Sequence, residues 1–167
     1  MALARALALR LLPIALAVPI AVAAPAAAQP MVEGAVVRVI DGDTIQVLVG
    51  ERLEKVRYIG VNTRELHHPQ KGEEPGGREA ADVNRALVDG RRVRLELDAQ
   101  LRDRHGRLLA YVWVDGTMVN AELVRRGVAQ VMTVPPNVRH QAWLLRLERE
   151  ARTSGRGLWA EPAPAAR

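Results

Sequence analysis

The sequence predicts an α+β domain dominated by a β-barrel: a five-stranded Greek-key barrel of the OB type with about three helices, preceded by a signal peptide. Three observations predict it. Five short runs rich in valine and other strand formers are separated by Gly- and Asp-containing turns. A helical pattern falls after the third run, and further helical patterns are appended at the end of the chain.

Residues 1–28 stand apart from that domain. Arg5 and Arg10 form a positive start, Leu11 to Ala24 is an uncharged apolar run, and Ala26-Ala27-Ala28 offers a small-residue cleavage site before Gln29. Pro13, Pro19 and Pro25 interrupt the run, which is short for a membrane span. A cleavable signal peptide is the expectation, with a secreted or periplasmic product and no stable membrane association afterwards; a retained anchor is the alternative. Removal leaves 139 of the 167 residues, with formal charge falling from +5 to +3 as two arginines go. That length suffices for one well-packed domain, here residues 29–159, expected to act as a monomer.

Strands are expected over Val32–Ile40, Thr44–Val49 and Lys55–Val61, with Gly50-Glu51 opening the hairpin between the last two. His67 to Gly77 is polar and rich in Gly and Pro and reads as a surface loop. A helix follows over Arg78–Val88, with Ala80, Val83 and Leu87 on one side and Asp89-Gly90 as its stop. Arg92–Leu97 alternates cleanly, Val93, Leu95 and Leu97 inward. The charged turn Arg102–Arg107 leads into the fifth strand, Leu108–Val114, which closes at Asp115-Gly116. Asn120 is placed to cap a short helix ending at Gly127, and Asn137 a longer one running to about Ser154. Residues 160–167, rich in Pro and Ala, read as a disordered tail.

Chemistry concentrates between Val39 and Glu65. Asp41 and Asp43 flank Gly42, and an extended backbone puts both carboxylates on one face. Gly42 is expected to permit a sharp turn. The stretch Val61-Asn62-Thr63-Arg64-Glu65 ends a strand with an amide, a hydroxyl and a carboxylate within four residues. If the two strand ends meet, Asp43, Asn62 and Glu65 form an oxygen-rich cluster with Arg57 beside it. Such donors suit a hard cation, and a cation beside an arginine suits a phosphate. Arg57 shares a strand face with Ile59 and Val61 while Val56 and Tyr58 take the other, so its guanidinium needs a partner or a mouth of solvent. The basic residues are nearly all arginine, which presents a planar fork to phosphate. The absence of cysteine excludes a disulfide framework and thiolate chemistry. No P-loop, Rossmann glycine pattern or HExxH motif is present.

Further motifs follow in order: Asp103-Arg104-His105-Gly106-Arg107-Leu108-Leu109-Ala110-Tyr111-Val112, then Val119-Asn120-Ala121-Glu122-Leu123-Val124, then Gly157-Leu158-Trp159. With Val39–Thr44 and Val56–Glu65, this ordered set resembles the staphylococcal nuclease (thermonuclease) family from about Val36 to Trp159. The resemblance implies an OB-fold barrel carrying a Ca2+-dependent endonuclease that cuts DNA and RNA to 3′-phosphate ends. It implies Asp43 as a direct calcium ligand, Asn62 at a second ligand position, and Thr63 as a ligand through its carbonyl. It implies Glu65 as the holder of the attacking water, Arg57 and Arg107 as the grip on the scissile phosphate, and Asp41 in the outer shell.

The chain departs from the family pattern at three places. Asn62 stands where an aspartate is usual, Arg64 where a proline is usual, and His105 and Met132–Pro136 where tyrosines pack against the nucleotide. Weaker metal binding and weaker base stacking are the expected results. Asn62 also favours the rival reading, a catalytically weak or inactive OB-fold module that binds nucleic acid; the joint presence of Asp43, Glu65, Arg57 and Arg107 favours the enzyme. His67 and His68 are adjacent in a Pro/Gly loop, without the spacing of a helical histidine pair. Trp113, Trp143 and Trp159 read as packing anchors.

Overall fold

The structure, a computed structural model, describes residues 31–66 and 72–160. The signal peptide, the histidine pair at positions 67 and 68, the first part of the expected surface loop and residues 161–167 of the expected tail lie outside the described residues.

Among the described residues, eight strand segments and three α-helices follow one another: β1 (Met31–Asp41), β2 (Thr44–Val49), β3 (Arg52–Tyr58), β4 (Val61–Thr63), α1 (Gly77–Val88), β5 (Arg92–Glu96), β6 (Leu108–Val114), β7 (Thr117–Met118), α2 (Val119–Arg125), β8 (Ala129–Val131) and α3 (Gln141–Thr153), with a 3-10 turn at Gly157–Trp159 after them. Five of the strands close a barrel in the order β3-β2-β1-β5-β6. Its seam is parallel, with Val56 opposite Leu108, Arg57 opposite Leu109 and Tyr58 opposite Ala110; every other pairing in the barrel is antiparallel. The predicted OB-type α+β barrel is therefore what the chain forms. Register shifts at Val36/Arg38 and Val39/Asp41 interrupt the β1–β2 ladder, bending β1 so that it also pairs with β5.

Alternation fills the interior as the strand pattern requires. Ile45 and Val47 from β2, Val56 from β3, Val93 and Leu95 from β5 and Val112 from β6 are essentially without solvent contact. Leu123 of α2 and Leu144 of α3 are equally buried in the same cluster. α1 lies against β1 and α2, burying Ala80, Ala81 and Val88. Among the described residues, no helix is long and apolar enough to cross a membrane.

Three local expectations are corrected. The run Lys55–Val61 is not one strand: it breaks at Gly60, whose φ of 78° is left-handed and where a Cβ would meet Leu144 Cδ1 at 2.7 Å. Beyond the break, β4 leaves the barrel and pairs with β8, Asn62 opposite Gln130. Asn120 does not cap α2 but sits inside it, fully buried. Its Oδ1 accepts from Val112 N (2.9 Å) and its Nδ2 donates to Ile59 O (2.9 Å), so it ties helix to barrel. Asn137 does not cap α3 either; it exchanges hydrogen bonds with both backbone groups of Gln100 (2.7 and 2.8 Å). Asp115 and Gly116, at φ 48° and 82°, make the tight turn that brings β7 back onto β6.

Candidate active site

The acidic turn after β1 is held from two sides. Gly42 adopts no left-handed φ; it is glycine because of crowding, since a Cβ there would stand 2.7 Å from Ala80 Cβ and 2.8 Å from Thr63 Cβ. The expectation of a conformationally demanding turn is thus replaced by one of close approach. Asn84, fully buried on α1, donates from Nδ2 to the Asp41 carbonyl (2.9 Å) and accepts from the Tyr58 hydroxyl (2.8 Å). Burial, above all, holds that phenol above its usual range. The pair pins the turn to the helix; Tyr58 lies within the Val56–Glu65 motif, whereas Asn84 belongs to none.

Asp43 is only 4% exposed. Its Oδ2 accepts from Thr63 N (2.9 Å) and lies 3.1 Å from Arg57 Nη2, while its Oδ1 accepts from the Thr44 hydroxyl (3.1 Å). The two strand ends predicted to meet therefore do meet, through Asp43 and Thr63. Asp41 receives the Asp43 N–H on Oδ1 (3.1 Å), and its carboxyl is pushed up to about 6, by burial first and by the charges of Asp43 and Glu65.

Arg57, predicted to need a partner because both faces of its strand are apolar, is 8% exposed and has four. Nη1 donates to Tyr58 O and Val61 O (both 2.8 Å); Nη2 donates to Asn62 Oδ1 (2.9 Å) and faces Asp43. Glu65 is exposed, and among the described residues its carboxylate has no hydrogen-bond or ion-pair partner. Its backbone is fixed: its N–H donates to Glu74 Oε2 (3.1 Å) and its carbonyl accepts from Glu74 N (2.9 Å). A Cβ at Gly77 would collide with that same carbonyl. Glu74 and Gly77 thus steady the turn that carries Arg64 instead of proline.

A groove of about 450 Å³ opens beside this cluster. Arg57 and Arg107 both line it, together with His105, Leu109, Met132 and Val134. The seam explains the meeting, because Arg57 on β3 lies opposite Leu109 on β6. Arg107 precedes β6 and donates from Nε to Asp103 Oδ2 (2.7 Å). The groove wall at positions 105, 132 and 134 carries no tyrosine, and none of the three tryptophans lines it. Trp113 and Trp143 instead make T-shaped contacts with the His140 ring, and Trp159 lies under the Arg152 guanidinium at 3.9 Å. Gln100 and Asn137 line the groove too and were not predicted to; their mutual backbone bonds gave no local signal.

The oxygen donors near Asp43 are its own carboxylate, that of Asp41 and the Asn62 amide oxygen, while Thr63 turns its N–H toward Asp43. Oxygen donors of this kind fit a hard cation; the Asp41 carboxyl among them is raised first by its burial and then by the charges of Asp43 and Glu65. Among the described residues, no three His, Cys, Asp or Glu side chains converge as a metal cage, so a cation would depend on amide, carbonyl and water oxygens as well.

An OB-type barrel with two arginines lining one groove and an oxygen cluster behind one of them is a class of protein whose site suits an anionic ligand. The comparisons narrow it. The family described as Staphylococcal nuclease homologue matches residues 55–161. The thermonuclease of Staphylococcus hyicus is 38% identical over 125 residues, covering 75% of this chain and 74% of that protein. That of Staphylococcus intermedius is 37% identical over 122 residues, covering 73% of each. The endonuclease YncB of Bacillus subtilis is 38% identical over 126 residues, 74% of this chain and 60% of that protein. The chain belongs to the staphylococcal nuclease family, and it is a nuclease.

Proposed function

We propose that the protein is an exported, calcium-dependent endonuclease that hydrolyses DNA and RNA to 3′-phosphate ends, acting as a monomer. The observation that carries this reading is that Arg57 and Arg107 line one groove while Arg57 is also paired with Asp43. One anionic phosphate in the groove would meet both guanidinia and lie next to the oxygen cluster.

The residues divide the work as follows. Asp43, the Thr63 carbonyl and the Asn62 amide oxygen would hold the cation, with Asp41 behind them. A bound divalent cation supplies neutralisation of a non-bridging phosphate oxygen and a site for water. Arg57 and Arg107 donate to the oxygens on which charge grows. Glu65, whose carboxylate is unpaired among the described residues, orients a water and takes its proton as the water oxygen bonds to phosphorus. The bond from phosphorus to the 5′-oxygen breaks, and that oxygen takes up a proton, leaving a 3′-phosphate and a 5′-hydroxyl. Incubating the mature protein with plasmid and with RNA, in calcium or in chelator, tests the reading. Cleavage in calcium alone, with ends that a 3′-phosphatase makes extendable, is expected; cleavage unaffected by chelator overturns the calcium assignment.

The signal pattern of residues 1–28 supports export, with the mature chain starting at or near Gln29. Intact mass of secreted or periplasmic protein checks this; Met1 retained in a membrane fraction would mean an anchor.

A further inference from the structure

The terminal nitrogens of Arg57 are taken up by Tyr58 O, Val61 O, Asn62 and Asp43, and Asp41 and Glu65 add negative charge nearby. Attraction for the rest of a polyanion must therefore come from beyond that cluster. Arg38 on β1 lies opposite Gln46 on β2, and Gln46 opposite Lys55 on β3, so the three form one row across the strands. Lys55 shares the outer face with Arg57, two residues on, since Val56 and Tyr58 point into the core. Continued one residue back, the register of the seam puts Lys55 alongside Arg107, which lines the groove. The row thus continues the groove onto the face of the sheet. No carboxylate interrupts it: Glu54 faces the other way, opposite Val47, and is paired with Arg102 at 2.9 Å. Arg38 and Lys55 are exposed, and neither makes a hydrogen bond or ion pair among the described residues. Beside this row runs an apolar one. Leu48 lies opposite Leu53, both exposed, and Val37, exposed too, sits in the irregularity of β1 between Val36 and Arg38.

We propose that this outer face of β1, β2 and β3 is a second nucleic-acid-binding surface, which carries the single strand flanking the scissile phosphate out of the groove. Arg38 and Lys55 meet its phosphates, and Leu48, Leu53 and Val37 lie against its bases. The proposal deepens the nuclease reading and rests on it for the ligand of the groove. Cations side by side with exposed apolar side chains match the two chemistries of an unpaired strand, a charged backbone and uncovered base faces. A duplex keeps its base faces stacked, so the apolar row would have nothing to cover. Neighbouring strands stand about 4.8 Å apart, which puts the backbones of Arg38 and Lys55 roughly 10 Å from each other. Two long side chains at that separation can reach neighbouring phosphates of one strand. The apolar side chains are aliphatic, so each base gains less there than on an aromatic ring, and the cations carry most of the affinity.

The test is polymer binding against salt. A fluorescent oligothymidylate of about 20 nucleotides, longer than one barrel covers, is titrated with each protein in chelator and followed by anisotropy. The proteins are wild type, Arg38→Gln/Lys55→Gln and Leu48→Ser/Leu53→Ser, with thermal melts of each. Arg146→Gln/Arg149→Gln is the charge-matched control, two exposed arginines on α3, which packs against α2 and β8. Between about 50 and 200 mM salt, losing the two row cations should flatten the slope of log affinity against log salt by about 1.4, or about 0.7 for each phosphate of a single strand. At the low-salt end that variant should bind roughly tenfold more weakly. The leucine variant should bind about threefold more weakly with its slope unchanged, since it loses base contacts only. The control pair should keep the wild-type slope. In calcium, the preference for the oligomer over a nitrophenyl phosphodiester of one nucleoside, read as a ratio of kcat/KM values, should fall about tenfold in the cation variant. Equal slopes for wild type and the cation variant overturn the proposal. Equal losses in the cation and control pairs do so too, as does a wild type that fails to bind the oligomer. A cation variant that shows the expected change in slope, while wild type cuts neither substrate, would sink the nuclease reading alone.

Discussion

Asp103 grips Arg107 at both ends of the residue. Its Oδ2 accepts from the Arg107 side-chain Nε at 2.7 Å, and its Oδ1 accepts from the Arg107 backbone N–H at 3.0 Å and from His105 N at 2.9 Å. A backbone bond between Asp103 N and Arg107 O (3.0 Å) closes the loop. One carboxylate thus shapes the turn and aims the guanidinium it carries into the groove. Burial works against the charged form, but the hydrogen bonds from Arg107 and His105 outweigh it and hold the carboxyl below its usual value.

The first prediction concerns that carboxylate. A carboxyl whose folded pKa is depressed stabilises the fold fully above its unfolded value, and that stabilisation is lost as pH falls through the folded one. Asp103→Asn should cost about 1 kcal/mol at pH 7, in line with one partly exposed set of charge-assisted bonds. The difference from wild type should shrink below about pH 4, the unfolded carboxylate range. Urea melts at pH 7 and pH 3 check it; an equal deficit at both would separate the effect from ionisation.

The second concerns the reacting groups. Glu65→Gln and Arg107→Ala should each lower turnover by roughly 10² or more, as expected for a proton acceptor and a charge-stabilising donor. Glu65 is exposed and Arg107 half-buried at the groove, so thermal melts should move little. A variant with near-normal turnover removes its residue from the mechanism.

The third concerns the cation. Restoring a carboxylate with Asn62→Asp should tighten calcium by about tenfold, or about 1.4 kcal/mol. Calcium titrations followed by activity and by heat give the midpoint for both proteins. An unchanged midpoint would place position 62 outside the ligand set and leave the cation to Asp41 and Asp43.

The fourth concerns the fold. Asn120→Ala would leave Val112 N and Ile59 O without the partners they now have, both buried. A loss of about 2–4 kcal/mol is expected from two orphaned backbone groups and a small cavity. Chemical denaturation measures it. A loss under about 0.5 kcal/mol, the range of ordinary surface changes, would mean that water replaces the amide.

Much of this was legible in the chain because it depends on local pattern. Alternation at Val93 and Leu95 marks β5, and the two apolar faces around Arg57 foretell a buried guanidinium in need of partners. What escaped depends on distant meetings. β4 and β8 are three residues each, too short for any periodicity, and exist only because they find one another across the fold. Asn120 and Asn137 stand where caps are common, yet both amides serve backbone groups far along the chain, Ile59 and Gln100 respectively. The Tyr58–Asn84 bond spans 26 positions. In the acidic turn the glycine was conspicuous, but its reason, the approach of Thr63 and Ala80, appears only in three dimensions.

The parallel seam has a consequence for timing. Arg57 reaches the groove from one side of it and Arg107 from the other, and Leu109, the residue opposite Arg57, is made about fifty positions later. A chain still emerging from the ribosome, or kept extended by a holdase, owns both arginines but no place where they converge. Such a chain has not yet brought its two groove arginines together. Non-local strand pairings form late in folding as well as in synthesis, so competence to cut arrives only with the finished barrel.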